Sequence, residues 1–215
     1  MSKEVTLEID GKIVKTREGK TLLQAAKDAG IEIPTLCYHE GMEPFGACRI
    51  CTVEIEKNGK SKLVASCCYP VEDGLKVKTK SPYISKIRKT ILELAAITAG
   101  ANVGGQVSGL AYTYNADLSR FASMGLAEPV NCILCGLCVR RCMEAQWDNA
   151  IDFAGRGINR CIVLLPGRED ACRSCSYCVG LCPTGRISSI GGVNPPFPSL
   201  SDLLAGRYRL KAYYR

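Results

Sequence analysis

Twelve of the fourteen cysteines fall into three groups whose spacing suits metal ligation. Cys132, Cys135, Cys138 and Cys142 read C-x2-C-x2-C-x3-C. Cys172, Cys175, Cys178 and Cys182 repeat that run, with Pro183 after the last cysteine where the first copy has Met143. A close triplet of thiolates grips three corners of an iron–sulfur cubane, and in this run the fourth cysteine serves the other copy's cluster. The spacing assigns Cys132, Cys135, Cys138 and Cys182 to one 4Fe–4S cluster, and Cys172, Cys175, Cys178 and Cys142 to another. Two full copies in one chain argue against a zinc or disulfide origin.

The remaining group, Cys37, Cys48, Cys51 and Cys67, reads C-x10-C-x2-C-x15-C. Its C-x2-C pair alone is shared with zinc ribbons. Gly41 and Gly46 allow a tight wrap in which backbone N–H groups point at sulfur, as a small cluster requires. Cys68 stands beside Cys67, and the residues alone leave open which of the two is the fourth ligand. His39, the only histidine, lies in the same loop. A Rieske-type centre needs two histidines, so His39 is read as a polar loop residue, with hydrogen-bond tuning of a cluster as the alternative. Cys161 lies in an apolar, strand-like stretch and is read as a buried cysteine, with a redox or ligand role as its alternative.

These groups need elements to hold them. Val5, Leu7 and Ile9 alternate with polar residues, Asp10-Gly11 signals a hairpin, and Ile13 and Val14 resume the pattern. Thr21 caps a helix over residues 22–29 that Gly30 ends. A cysteine-rich loop follows over residues 34–51. Strands are expected over residues 50–56, 63–66 and 75–77, with an Asn58-Gly59 turn between the first two. Hairpin, helix, cysteine loop and further strands is a β-grasp order, which makes 2Fe–2S the preferred cofactor of the first group. Ser81-Pro82 opens a helix to about residue 99, with Ile84, Ile87, Ile91, Leu94 and Ala95 at helical spacing. Residues 100–128 are rich in Gly, Ala and Ser and read as a linker or wrapping segment; their glycines match no dinucleotide fingerprint. The expected class is therefore α+β: an N-terminal β-grasp 2Fe–2S ferredoxin domain (residues 1–80), a helix and connecting segment (81–130), a bacterial-type dicluster 4Fe–4S ferredoxin domain (131–190), and a Pro-rich, basic and aromatic tail (191–215).

The bulk numbers exclude several classes. The chain has 215 residues and a net charge of +7. Each oxidised cluster with four thiolates carries roughly −2, so three clusters bring the holoprotein near neutrality. The basic residues are dispersed around the cysteine motifs and the tail, which argues against nucleic-acid binding. Arg140, Arg141, Arg160, Arg173 and Arg186 flank the cysteines, where a cation can raise a cluster's potential. No run of about 18 apolar residues suggests membrane insertion, and no apolar leader is seen, so a reducing, cytoplasmic setting is expected.

The residues also carry a family resemblance. Pro34-Thr35-Leu36-Cys37-Tyr38-His39, Cys48-Arg49-Ile50-Cys51, Leu63-Val64-Ala65-Ser66-Cys67 and Pro70-Val71-Glu72-Asp73-Gly74 resemble the N-terminal iron–sulfur region of the large peripheral subunit of respiratory complex I. They equally resemble the diaphorase subunit of NAD-reducing hydrogenases and the N-terminus of iron-only hydrogenases. In these families the last ligand lies six residues before the acidic residue matching Asp73, which points to Cys67. Cys132-Ile133-Leu134-Cys135, Ala154-Gly155-Arg156-Gly157-Ile158 and the segment from Cys178 to Gly185 resemble the hydrogenase diaphorase type most. Many relatives carry a further 4Fe–4S cluster on one histidine and three cysteines between the two regions; residues 86–128 contain neither residue type.

The resemblance implies a non-catalytic electron-transfer subunit of an NAD(P)H-dependent oxidoreductase. Its partners would be an NAD(P)H-binding flavoprotein and a second redox module: a hydrogenase, a formate dehydrogenase or an electron-bifurcating reductase. The rival reading is a free-standing multi-cluster ferredoxin-like carrier.

Overall fold

The computed structural model describes residues 3–124, 131–145, 149–157, 160–175, 177–187 and 197–205. The N-terminal part is a five-stranded mixed sheet with one helix across it. Strands β1 (Glu4–Ile9) and β2 (Lys12–Arg17) form a hairpin around Asp10-Gly11, both at positive φ. Helix α1 (Leu22–Asp28) starts at a capping box: the Thr21 hydroxyl accepts from the Gln24 N–H, and the Gln24 amide oxygen accepts from the Thr21 N–H. This satisfies two orphan donors at the helix start.

Strands β3 (Thr52–Lys57), β4 (Lys60–Ala65) and β5 (Lys76–Lys78) complete the sheet in the order β2-β1-β5-β3-β4, with β1 and β5 parallel and the other pairs antiparallel. Leu7, Ile9, Leu22, Ile55 and Leu75 fill the space between sheet and α1. The sheet thereby fixes both ends of the long loop that runs from α1 to β3 and carries three of the first four cysteines.

Helix α2 (Pro82–Ala99) begins at Ser81, whose hydroxyl accepts from the Ile84 N–H. The stretch expected to be a linker contains a second helix, α3 (Gly105–Thr113), and a 3-10 turn over Ala122–Met124. The helix carries little apolar signal, because only Val107 and Ala111 are buried in it. Leu92, Ala99, Val103 and Val107 pack with Leu36 and Ile50 from the cysteine loop into a core of their own.

The C-terminal part is built on a two-stranded antiparallel sheet, β6 (Ile151–Ala154) and β7 (Cys161–Leu164), with helices α4 (Leu137–Ala145) and α5 (Glu169–Cys175). Val139, Ile151, Ile162, Leu164, Ile187 and Phe197 form its core, and six of the twelve grouped cysteines pack with them. Part of the expected tail folds back here: the Leu164 N–H donates to Pro198 O at 2.9 Å, and Phe197 is buried ahead of the short helix α6 (Leu200–Leu204). Residues 191–196 and the basic aromatic end at 206–215 lie outside the described residues.

Candidate metal centres

The structure places the three cysteine groups at three separate sites. In the first, the loop from Leu36 to Ile50 curls over the end of β3. Cys37, Cys51 and Cys67 are each 1% exposed. The Cys51 and Cys67 sulfurs lie 3.4 Å apart, and the Cys48 N–H donates to Cys37 Sγ at 3.5 Å. Cys68 is exposed, with its sulfur 3.5 Å from that of Cys67. Cys67, not Cys68, therefore shares the buried space with Cys51. His39 is also exposed and its Nδ1 sits 2.5 Å from Glu40 O, so its ring is engaged by its own loop.

Paired burial splits these thiols electrostatically. Cys37 is held down to about 6, chiefly by its hydrogen bond with Cys48, helped by the Cys48 and Ala47 N–H groups and the Arg140 charge against the cost of burial. Cys51 is likewise held down to about 6, chiefly by Cys67. Their partners Cys48 and Cys67 are pushed up by the same bonds and by burial. Each pair thus retains one proton that a bound metal must displace.

The second cavity is lined by Cys132, Cys135, Cys138 and Cys182, with Ile133, Leu137, Ile162, Ile187 and Phe197 as apolar walls. The third is lined by Cys142, Cys172, Cys175 and Cys178, with Ala150, Ile151 and Tyr177. Each cavity takes three cysteines from one copy of the run and the fourth from the other. Burial pushes Cys135 up to about 12 and Cys178 to about 11, and it raises Cys138 as well, with the neighbouring sulfurs adding to the effect. Four crowded thiols in an apolar pocket cannot all ionise without cations among them. Backbone donors do reach the sulfurs: Leu134 N–H to Cys132 Sγ at 3.4 Å, and Ala150 N–H to Cys142 Sγ at 3.2 Å. The donor set, thiolates with N–H support inside apolar walls, fits iron–sulfur clusters at all three sites.

Two backbone features beneath these sites escaped the sequence. Arg49, inside Cys48-x2-Cys51, and Leu134, inside Cys132-x2-Cys135, both adopt left-handed φ, +60° and +53°. For residues with side chains this costs about 1–2 kcal/mol, and at Leu134 it turns the N–H onto sulfur. Arg88 was also missed. It is 2% exposed on α2 and donates Nε to Ile50 O at 3.1 Å, Nη2 to Thr52 O at 3.0 Å and Nη1 to the Tyr114 hydroxyl at 2.9 Å. It thus holds the carbonyls on either side of Cys51. An arginine inside the apolar stripe Ile84, Arg88, Ile91 was the available signal. Cys161, 5% exposed in β7, lines neither cavity, and burial pushes its thiol up.

Residues 2–82 match the model of a 2Fe–2S iron–sulfur cluster binding domain. The chain is 36% identical over 204 residues to the alpha subunit of the NADPH-Fe(3+) oxidoreductase of Geobacter sulfurreducens, covering 86% of this chain and 24% of the relative. It is 33% identical to the NADH-ubiquinone oxidoreductase 75 kDa subunit of Reclinomonas americana, over 86% of this chain and 29% of the relative. It is 32% identical to the NADP-reducing hydrogenase subunit HndD of Solidesulfovibrio fructosivorans, over 85% of this chain and 36% of the relative. The chain therefore spans about a quarter to a third of these curated relatives. A chain of the NAD+-reducing [NiFe]-hydrogenase, solved in its H2-reduced state, aligns with a TM-score of 0.69 at 29% identity, covering 89% of this chain and 90% of that one. The resemblance to complex I and hydrogenase iron–sulfur subunits is borne out. Among the described residues no helix is long and apolar enough to cross a membrane.

Proposed function

We propose that this chain is an iron–sulfur electron-transfer subunit of a multisubunit NAD(P)H-linked oxidoreductase. Cys37, Cys48, Cys51 and Cys67 would hold one 2Fe–2S cluster. Cys132, Cys135, Cys138 and Cys182 would hold one 4Fe–4S cluster, and Cys172, Cys175, Cys178 and Cys142 a second. When bound, such clusters accept and release single electrons. The protein's own residues hold them, exclude water and set their electrostatics; no residue acts as a catalyst on a substrate.

One observation carries this reading. The two C-terminal cavities exchange their fourth cysteine, an arrangement that two independent zinc sites have no reason to adopt. The names of the relatives support NADH or NADPH as the distant donor or acceptor. No dinucleotide fingerprint occurs in the chain, so the nucleotide would bind a partner flavoprotein. A hydrogenase, dehydrogenase or bifurcating reductase would take the other end. The thiol-rich sites suit a reducing compartment, and we place the chain in the cytoplasm.

The rival, a free-standing carrier, gains from Phe197 and Pro198, which dock on this chain's own core rather than reaching outward. Cluster-loaded chain mixed with NADH or NADPH tests the assignment. The visible absorption should stay unchanged until an NAD(P)H-oxidising flavoprotein subunit is added, and should then bleach. Bleaching by the isolated chain contradicts the subunit role. Elution free of any flavoprotein in a low-salt purification from the native cell favours the carrier.

A further inference from the structure

The second and first sites are joined by one side chain. Arg140 lies on α4 between Cys138 and Cys142, two residues from each. Its guanidinium reaches out of the C-terminal part into the 2Fe–2S loop. There Nη2 donates to Cys37 O and Nη1 to Glu43 O, both at 2.6 Å. The Phe45 ring stacks 5.0 Å from the same guanidinium. Gly136 leaves room for the Phe45 ring: with φ at +75°, a Cβ there would sit 3.0 Å from the ring. Buried Cys37 and Met42 meet Cys135 and Leu137 in a shared apolar cluster beneath this clamp, with Cys48 and Leu181 packed at its edge. The fork geometry matters. Two diverging donors hold two carbonyls 6 residues apart on one loop, which a single ammonium cannot do.

We propose that Arg140 is a positioning residue that locks the 2Fe–2S loop onto the Cys135 pocket, fixing how close the first two centres lie and biasing the first toward its reduced state by its charge. The inference rests on the cluster assignment above and deepens it. Arg88 grips the same region, at Ile50 O and Thr52 O, but from α2, and its three hydrogen bonds reach no residue of the C-terminal part. It therefore serves as a comparison: it can tune the centre without joining it to its neighbour.

The test uses the full chain, reconstituted anaerobically with iron and sulfide as wild type, Arg140→Gln and Arg140→Lys, with iron content measured first. In reduced wild type, electron paramagnetic resonance should show the 2Fe–2S signal broadened and fast-relaxing through its magnetic neighbour. Arg140→Gln should slow that relaxation at least twofold and lower the reduction constant about tenfold, which is about 59 mV for one electron. Arg140→Lys should keep the reduction constant within about threefold, because the charge remains, yet still lose the magnetic coupling, because the fork is gone. A Gln variant with full iron and unchanged relaxation and potential overturns the proposal. If the Gln variant fails to load, the Lys variant decides: unchanged relaxation overturns the proposal, slowed relaxation supports it. A wild-type chain that takes up zinc in place of iron overturns the cluster assignment, and the role of Arg140 falls with it.

Discussion

Gly105 and Gly109 lie four residues apart on α3, and alanine should act on them in opposite directions. Gly105 has φ of +64°, and a Cβ placed on it would lie 2.5 Å from Pro183 O and 3.1 Å from the carbonyl carbons of Pro183 and Thr184. Real Cβ atoms do not approach backbone so closely, and the backbone there is tied down. The Val107 N–H donates to Pro183 O at 3.3 Å, and the Thr184 hydroxyl donates to Asn131 O at 2.7 Å. An L side chain in the left-handed region costs about 1–2 kcal/mol, and forced overpacking adds about 1–3 kcal/mol. Gly105→Ala should thus cost about 3 kcal/mol, lowering the melting temperature of a chain this size by about 6–12 °C. Because Cys182 immediately precedes the displaced peptide, visible absorption should be lost on heating before the bulk of the helix melts. Gly109 has nothing within 4 Å and no positive φ. Gly109→Ala should stabilise by about 0.5–1 kcal/mol through helix propensity, raising the midpoint by about 1–4 °C. Thermal scans by circular dichroism and visible absorption, on one preparation of each variant, read both effects. Equal shifts for the two variants, or an unperturbed Gly105→Ala, would refute the docking of α3 on the Cys182 loop.

The ligand choice is open to a direct comparison: Cys67→Ser should lose about 2 iron atoms per chain, whereas Cys68→Ser should keep them all, and the reverse pattern would move the ligand to Cys68. Cys142→Ser should disturb the magnetic signal of the cluster held by Cys172, Cys175 and Cys178, not of the one held by Cys132, Cys135 and Cys138; damage confined to the latter contradicts the exchanged arrangement. Glu93, fully buried, accepts from Arg120 at 2.7 Å and from the Asp117 N–H at 3.3 Å. Glu93→Ala should cost about 1–3 kcal/mol, by leaving the Asp117 N–H without its acceptor, while water takes over the half-exposed Arg120. Glu4→Ala, which removes the exposed pair with Lys15, should cost at most about 1 kcal/mol. Denaturant midpoints compare the two, and similar costs would contradict the buried role of Glu93.

The N-terminal fold was legible because each of its elements announces itself locally. Asp10-Gly11 marks the first hairpin, Thr21 marks a helix start, and Ser81-Pro82 marks the next. The edges of β3 and β4 drifted by two or three residues, since the apolar alternation at Ile50 belongs to the cysteine loop rather than to the strand. Helix α3 was not legible. Its glycines depress helix propensity, and its stability comes from Val107 packing on Leu36 and Ile50, which no local pattern reveals. The cysteine groupings were legible from spacing alone. The choice between Cys67 and Cys68 was not, because it depends on which side of one peptide faces the core. The roles of Arg88 and Arg140 are long-range carbonyl contacts, 36 to 103 residues apart in sequence. Residues 86–128, which contain neither histidine nor cysteine, instead help build an apolar core behind Ile50.

Iron and acid-labile sulfide per chain, measured on anaerobically purified protein, test the three-centre assignment most directly. The assignment predicts about 10 of each, from one 2Fe–2S and two 4Fe–4S clusters. A colourless chain carrying zinc, or one holding about 2 iron atoms with the eight C-terminal cysteines still reactive as thiols, would contradict it.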